Sequence, residues 1–189
     1  MIAPRAPLAA CFLALFLACS GVAIGQDLCS DYLSTKNCIG KRRPVHHGID
    51  FGGAAGTEVI SATYGTVVRR NFDECSGHGL TVKTDFVARH DDLEGPVYVR
   101  YAHVEGFEYA KPGLDLKPGD PIGRTIPLRH TKCHGSREHV HYELRINGDP
   151  KLHVNPHAFW ADGEGKVTCF KKGMTAPAGK AVAPIACGD

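Results

Sequence analysis

The run from Arg137 to Ile146, REHVHYELRI, constrains the fold of this chain more than any other segment. Apolar and polar side chains alternate along it with a period of two, which is typical of a β-strand with one buried face. The apolar set is Val140, Tyr142, Leu144 and Ile146, and the polar set is His139, His141, Glu143 and Arg145. Both imidazoles are therefore expected on one face of a single strand, about 6.6 Å apart.

Short β-branched runs recur along the rest of the chain and predict a mainly antiparallel β fold. They are TEVIS, GTVVR, LTVKT and VYVRY, and Gly and Pro residues separate them. Sustained 3.6-residue periodicity is nearly missing from the sequence. The polar insertion RHDDLEGP, Arg89 to Pro96, is expected to be a solvated loop, with a groove wall as the other possibility.

Five residues fall at the spacings of a catalytic zinc site. His46 and Asp50 stand in HHGID, His103 ends the run VYVRYAH, and His139 and His141 stand in EHVHYELR. A residue four positions along an extended strand is about 13 Å away, whereas each zinc ligand lies about 2.0 to 2.2 Å from the metal. The chain must therefore bend between His46 and Asp50, and Gly48 is placed to allow that bend. One histidine alone is more often structural, but these motifs together favour a metal site.

At these motifs the chain resembles the lysostaphin-like, or LytM-type, zinc peptidases of metallopeptidase family 23. The resemblance runs from about Pro44 to Trp160. The matching segments are HHGIDFGGAAGTEVISATYGTVV, GHGLTVKT, YAHV, LKPGDPIGR, EHVHYELRING and VNP. The resemblance implies an antiparallel β-sheet groove of the LytM, or duplicated hybrid motif, type.

The resemblance also implies a role for each of the five residues. His46, Asp50 and His141 would bind one Zn²⁺ per chain, and His103 and His139 would be the catalytic pair. Three protein ligands leave an open position on zinc, as catalytic sites require. Glu143 is either a solvated residue or a partner of a ligand histidine. Residues 136–138, Ser-Arg-Glu, depart from the family's usual Ser/Thr-Gly-Pro, which puts the shape of the neighbouring substrate subsite in doubt.

The function implied by the resemblance is hydrolysis of peptide cross-links in bacterial peptidoglycan. Relatives cut D-alanyl to diaminopimelate bonds or glycine-glycine bridges. Export, disulfides and the lack of a recognisable wall-targeting module favour a periplasmic D,D-endopeptidase. One alternative is a non-catalytic LytM-like regulator that activates a cell-wall amidase. The other is a lipoyl- or biotinyl-like carrier module, which needs a modifiable lysine at a hairpin tip, and no lysine stands in such a context.

Residues 1–25 are predicted to be a signal peptide. Arg5 precedes an apolar stretch, and Ala23-Ile24-Gly25 supplies small residues for cleavage, although a transmembrane anchor is the alternative. The predicted organisation continues with an N-terminal extension at 26–43, a catalytic domain at 44–160 and a C-terminal tail at 161–189. The mature protein is expected to be periplasmic or secreted, monomeric and not stably inserted in a membrane.

Charge and cysteine usage agree with an exported protein. Removal of Arg5 with the signal leaves 21 basic against 20 acidic residues, and a net charge of +1 argues against a nucleic-acid partner. Six cysteines remain, which predicts three disulfides but allows 15 pairings. The favoured pairs are Cys29–Cys38, Cys75–Cys133 and Cys169–Cys187. Zinc binding by these thiols is disfavoured because no C-x-x-C pair is present.

Overall fold

The computed structural model of the chain describes residues 27–73, 77–106, 110–128 and 137–187. These residues form eleven β-strands, and a 3₁₀ helix covers Pro156–Phe159. The strands are β1 (Leu28–Ser30), β2 (Ile49–Gly52), β3 (Glu58–Ile60), β4 (Gly65–Asp73), β5 (Gly77–His90), β6 (Leu93–Ala102), β7 (Val104–Glu105), β8 (Asp115–Leu116), β9 (Pro121–Thr125), β10 (His139–Ile146) and β11 (His153–Val154). The predicted mainly antiparallel β fold is confirmed. The predicted signal peptide lies outside the described residues, and no helix within those four ranges is long and apolar enough to cross a membrane.

The strands form two sheets. Eight strands make the larger sheet in the order β1-β2-β10-β6-β5-β4-β8, and β11 pairs with β10 beyond the end of β2. Three strands make the smaller sheet in the order β3-β9-β7. Strand β10, the alternating run of the sequence, lies at the middle of the large sheet between β2 and β6. This position lets it bring neighbouring strands of distant sequence to one site.

The hydrophobic core covers one face of the large sheet. The predicted apolar set of β10 is fully buried, and it packs in one cluster with residues of β2, β5, β6 and the small sheet. Trp160 closes the cluster together with Ala181 and Ala183 of the tail. The core therefore lies between the two sheets, and the opposite face of the large sheet is left to the polar residues of β10.

Both flanking segments are tied to this core. The N-terminal extension adds β1 to the edge of β2, and the tail donates a backbone hydrogen bond from Val182 to the carbonyl of Ala62. The structure contains the predicted disulfides Cys29–Cys38 and Cys169–Cys187, which staple these two segments. Cys75 and Cys133 lie outside the described residues, so their pairing stays a prediction. The tail is irregular, as expected, but Val182 is fully buried and belongs to the folded body.

The insertion at 89–96 is not the solvated loop that its polarity predicted. Strand β5 runs to His90 and β6 begins at Leu93, so Asp91 and Asp92 alone form the turn of a long hairpin. Asp91 adopts φ 52°, which suits the tight turn. The ring of His90 contacts that of His153 on β11, with centroids 6.2 Å apart. This contact places the end of the hairpin beside β11, and its role as a groove wall stays a prediction.

Candidate metal centre and catalytic groove

The pairing of β10 with its neighbours assembles the polar face around His141. In the antiparallel register His141 lies opposite Asp50 on β2 and opposite Ala102 on β6. His46 approaches from the segment before β2, and its ring centroid is 4.9 Å from that of His141. The structure thus brings together the three residues that the sequence suggested as metal ligands.

Gly48 allows this approach, but for a different reason from the one expected. Its φ is not in the left-handed region, so the bend does not depend on a conformation reserved for glycine. A Cβ at this position would lie 2.5 Å from the backbone oxygen of Tyr142 and 2.8 Å from Cε1 of His141. The residue must be glycine because the chain passes directly against β10.

Three ligand atoms meet in an almost equilateral triangle. Nε2 of His46 lies 2.9 Å from Nδ1 of His141 and 3.0 Å from Oδ1 of Asp50. The third side, from Nδ1 of His141 to Oδ1 of Asp50, is 2.9 Å. The side chains of His46 and Asp50 are 1% and 0% exposed, and that of His141 is 12% exposed. A site so thoroughly removed from water needs its polar atoms to be satisfied internally.

Hydrogen bonds behind the two imidazoles define which nitrogens face the triangle. Nδ1 of His46 lies 2.9 Å from the carbonyl oxygen of Asp31, which can only accept, so Nδ1 carries the proton and Nε2 presents its lone pair. Nε2 of His141 lies 3.4 Å from the Glu143 carboxylate and donates to it, which leaves Nδ1 for the triangle. Each ring is therefore oriented as a neutral ligand imidazole.

These donors fit a bound cation better than they fit one another. A single proton on His141 can serve two of the three contacts, but the lone pairs of His46 and Asp50 would then face each other at 3.0 Å. A cation between the three atoms satisfies all of them. Ligand atoms about 2.1 Å from zinc in tetrahedral geometry lie roughly 3.4 Å apart, so a slight widening of the triangle accommodates the ion. Two imidazoles and one carboxylate are also a donor set that zinc commonly selects.

The electrostatics of the cluster favour positive charge at the same place. Burial alone would raise the pKa of Asp50, but its contacts with His141 and His46 outweigh burial and hold that pKa well below its ordinary range. Burial lowers the pKa of His141, but the hydrogen bonds with Asp50 and Glu143 outweigh it, so that this pKa is raised. A proton on His141 and a metal ion would therefore compete for the same lone pair.

The N-terminal extension completes the surroundings of Asp50. Nη1 of Arg43 forms an ion pair with Oδ2 of Asp50 at 3.1 Å, which leaves Oδ1 for the histidines. Sγ of Cys38 lies 3.9 Å from the same Oδ2. Cys38 is in a disulfide, so it has no thiolate to offer as a metal ligand even though it lies near Asp50 and His139. Asp31 and Arg43 were not singled out in the sequence, because a backbone acceptor leaves no sequence signal and Arg43 stands in an ordinary basic run.

His139 lies beside the cluster with a defined tautomer. Its Nδ1 donates a 2.7 Å hydrogen bond to the carbonyl oxygen of Arg137, so Nε2 is unprotonated and lies 3.5 Å from Oδ1 of Asp50. Burial lowers the pKa of His139, although Asp50 opposes this effect. The side chain is 5% exposed, which is much less than a simple strand face would give. The predicted polar face is therefore a covered groove floor.

His103 stands against His139 on a strained backbone. The ring centroids are 4.6 Å apart with an interplanar angle of 66°. His103 has φ 63°, a left-handed value that non-glycine residues adopt at a cost and that is found preferentially at functional sites. Burial lowers its pKa to about 3, so the ring is neutral at physiological pH. Nδ1 of His103 is buried and has no hydrogen-bond partner among the residues that the structure describes.

Glu143, whose role the sequence left open, is a buried partner of His141, one of the candidate ligands. It is 3% exposed and contacts both Nε2 of His141 and, at 2.7 Å, Nη2 of Arg145. Burial would raise the pKa of Glu143, but these two hydrogen bonds outweigh it and hold the pKa at about 2. The carboxylate is thus ionised and orients the ring of His141.

Comparison with known proteins agrees with the fold and the order of the motifs. The sequence model described as Peptidase family M23 matches residues 44–156. The fold is similar to that of the catalytic domain of the prophage-encoded M23 protein EnpA from Enterococcus faecalis, with 25% identity over 76% of this chain and 94% of that one, at a TM-score of 0.53.

Two further solved structures share the fold. The antimicrobial peptidase lysostaphin from Staphylococcus simulans is 20% identical, with 81% of this chain and 56% of that one covered, at a TM-score of 0.59. A zinc-containing peptidase from Vibrio cholerae is 21% identical, with 68% of this chain and 35% of that one covered, at a TM-score of 0.51. Because the family match spans more than half of the sequence, the chain belongs to peptidase family M23.

Proposed function

We propose that this protein is an exported zinc endopeptidase that hydrolyses peptide cross-links of bacterial peptidoglycan. The observation that carries the proposal is the triangle of His46, Asp50 and His141, with two oriented neutral imidazoles meeting a carboxylate that a proton alone cannot satisfy. Membership of family M23 supports the peptidase class. The two described disulfides support an oxidising compartment such as the periplasm or the cell exterior.

The three cluster residues would hold one Zn²⁺ per chain. When bound, zinc polarises a peptide carbonyl and lowers the pKa of a water molecule to about 7. The residues of the chain would supply binding, orientation and proton transfer around that chemistry. Glu143 and the carbonyl of Asp31 keep the ligand rings in position, and Arg43 keeps Oδ1 of Asp50 turned towards them.

His139 and His103 would act on the substrate and water without holding the metal. Nε2 of His139 is unprotonated and beside the cluster, so it can accept a proton from water and return it to the leaving amine. Neutral His103, in ring contact with His139, can donate or accept a hydrogen bond, and this suits orientation of water or stabilisation of the developing oxyanion. The proposed division is three ligands and two catalytic imidazoles.

Zinc content and peptidoglycan hydrolysis of the purified mature chain test this proposal together. We expect about one zinc per chain by elemental analysis, loss of both zinc and hydrolysis in His141→Ala, and retention of both in the exposed control His78→Ala. His139→Ala should keep its zinc while the rate falls roughly 10² to 10⁴-fold. Stoichiometric zinc in His141→Ala would refute the ligand assignment.

The same assay decides between the enzyme and the regulator. Cross-linked fragments joined by D-alanyl to diaminopimelate bonds and fragments joined by glycine bridges are compared as substrates, with products identified by mass spectrometry. Cleavage of the first alone would support D,D-endopeptidase specificity. A zinc-loaded chain that cleaves neither fragment but stimulates a cell-wall amidase would replace the proposal with the regulator.

A further inference from the structure

A cavity of about 180 Å³ opens on the same groove floor as the candidate metal centre. Its lining includes three guanidinium groups, those of Arg69, Arg100 and Arg145, together with the hydroxyl-bearing side chains of Thr81 and Tyr98. Such a concentration of arginine in one small cavity is unusual in a chain with a net charge of +2. The established features of the metal cluster do not account for it.

The sheet register, and not the sequence, brings these residues together. Arg100 on β6 lies opposite Glu143 on β10 and opposite Thr81 on β5, and Arg69 on β4 lies opposite Thr81. Glu143 is two residues from His141 along β10, a step of roughly 7 Å on the same face. Arg100 therefore lies in the row of the groove floor next to His141, and Arg69 lies two strands, about 10 Å, farther from the candidate metal centre.

The positive charge of the cavity is only partly compensated. Glu143 forms an ion pair with Arg145, but the same carboxylate also accepts from His141. Nε of Arg145 is buried and has no hydrogen-bond partner in the described part of the chain. Burial lowers the pKa of Arg100, and the charges of Arg145 and Arg69 add to this effect while Glu143 and Asp73 oppose it. Arg100 and Arg145 are partly buried and Arg69 is exposed, and neighbouring guanidiniums that repel one another are best stabilised by an anionic ligand.

We propose that the Arg100 side of this cavity is a subsite for a carboxylate that the peptide substrate carries next to the scissile bond. The inference rests on the proposed endopeptidase function and adds a substrate preference to it. In a cross-link made through an amine of diaminopimelate, the carbon attached to the scissile nitrogen also bears a free carboxylate. A glycine bridge carries no carboxylate at that position. The planar fork of arginine matches a carboxylate with two parallel hydrogen bonds, so Arg100 would select the first kind of substrate, and the charge of Arg69 would add to the attraction from farther away.

The test compares two cross-linked peptides that differ only in that group, one with the free carboxylate and one with the carboxamide. The variants are Arg100→Gln and the more exposed Arg69→Gln, with Arg124→Gln on the small sheet as the control. Arg145 is left intact because its partner Glu143 contacts a candidate ligand. We expect wild type and the control to prefer the carboxylate peptide in kcat/KM. Arg100→Gln should lose roughly 10- to 100-fold on that peptide and little on the carboxamide, and Arg69→Gln, which lies farther from the scissile bond, should lose less.

Peptide affinity tests the subsite even if the protein does not hydrolyse the peptides. Calorimetric titration of both peptides into wild type and into the two variants should show the same preference and the same loss, with zinc content unchanged. Equal affinity of wild type for the two peptides would overturn the subsite. A preference of the cavity for inorganic phosphate over the carboxylate peptide would overturn it as well. Preferential binding without hydrolysis would support the subsite and refute the endopeptidase proposal, so the two failures are distinguishable.

Discussion

Replacing Gly48 by alanine should damage the metal centre through a backbone clash. The added Cβ would lie 2.5 Å from the backbone oxygen of Tyr142, whereas real Cβ atoms do not approach closer than 3.0 Å. The segment before β2 must therefore move away from β10 by about 0.5 Å or more. Metal ligands tolerate deviations of only about 0.2 Å, and Asp50 and His141 stand on the two strands being separated.

Two quantities should change in Gly48→Ala. Overpacking costs about 1 to 3 kcal/mol of unfolding free energy, which corresponds to a fall in Tm of roughly 2 to 10 °C for a chain of this length. Zinc affinity should fall about 10- to 100-fold, as it does when the support of a metal ligand is removed. Thermal unfolding and chelator-competition titration of zinc measure the two effects separately.

Gly56→Ala is the matched control. Gly56 has φ +86° but nothing within 4 Å of the added Cβ, so alanine meets backbone strain without a clash. The strain costs about 1 kcal/mol of stability, and zinc affinity should stay at the wild-type value. Unchanged zinc affinity in Gly48→Ala, or an equal loss in both variants, would refute the reasoning.

Two further predictions concern stability away from the metal ligands. Replacing both cysteines of Cys29–Cys38 by alanine should lower the free energy of unfolding by about 2.5 kcal/mol and should also weaken zinc binding. The same change at Cys169–Cys187 should lower the free energy of unfolding by about 3 kcal/mol and leave zinc affinity unchanged. Urea unfolding and zinc titration of the two variants check this, and equal zinc affinities would count against a role for the extension. Tyr101→Phe should cost about 1 to 3 kcal/mol because the buried amide of Ala62 loses the hydroxyl to which it donates, and unchanged stability by the same assay would contradict this.

Local patterns in the sequence were enough to predict the fold class and the neighbourhood of the candidate ligands. Strand β10 followed from its alternation, because a period of two leaves few other structures open. The position of Gly48 was recognised, but its reason was not, since a close approach to Tyr142 depends on a strand almost a hundred residues away. The prediction of a loop at residues 89–96 was wrong because polar side chains indicate solvent exposure but do not show whether the backbone pairs with a neighbouring strand.

Features that depend on strand register could not be predicted from the sequence. The arginines of the cavity come from β4, β6 and β10, and they meet only because the sheet aligns Arg69, Arg100 and Arg145 on one face. Burial of the polar face could not be read from the sequence either, since alternation placed both imidazoles on one polar face and His139 is 4% exposed. The extension reaches this face through Arg43 and Cys38, and neither residue carries a local signal for that position.

The family match begins at residue 44, yet the acceptor behind His46 and the cation beside Asp50 stand at Asp31 and Arg43. A fragment cut at the family boundary would retain all five candidate catalytic and metal-binding residues while losing the groups that fix two of them. Such a fragment could not be transplanted into another protein as a self-contained catalytic unit. In this chain the hydrogen bond behind His46 and the ion pair with Asp50, two candidate metal ligands, extend the functional unit upstream of the boundary that sequence similarity draws.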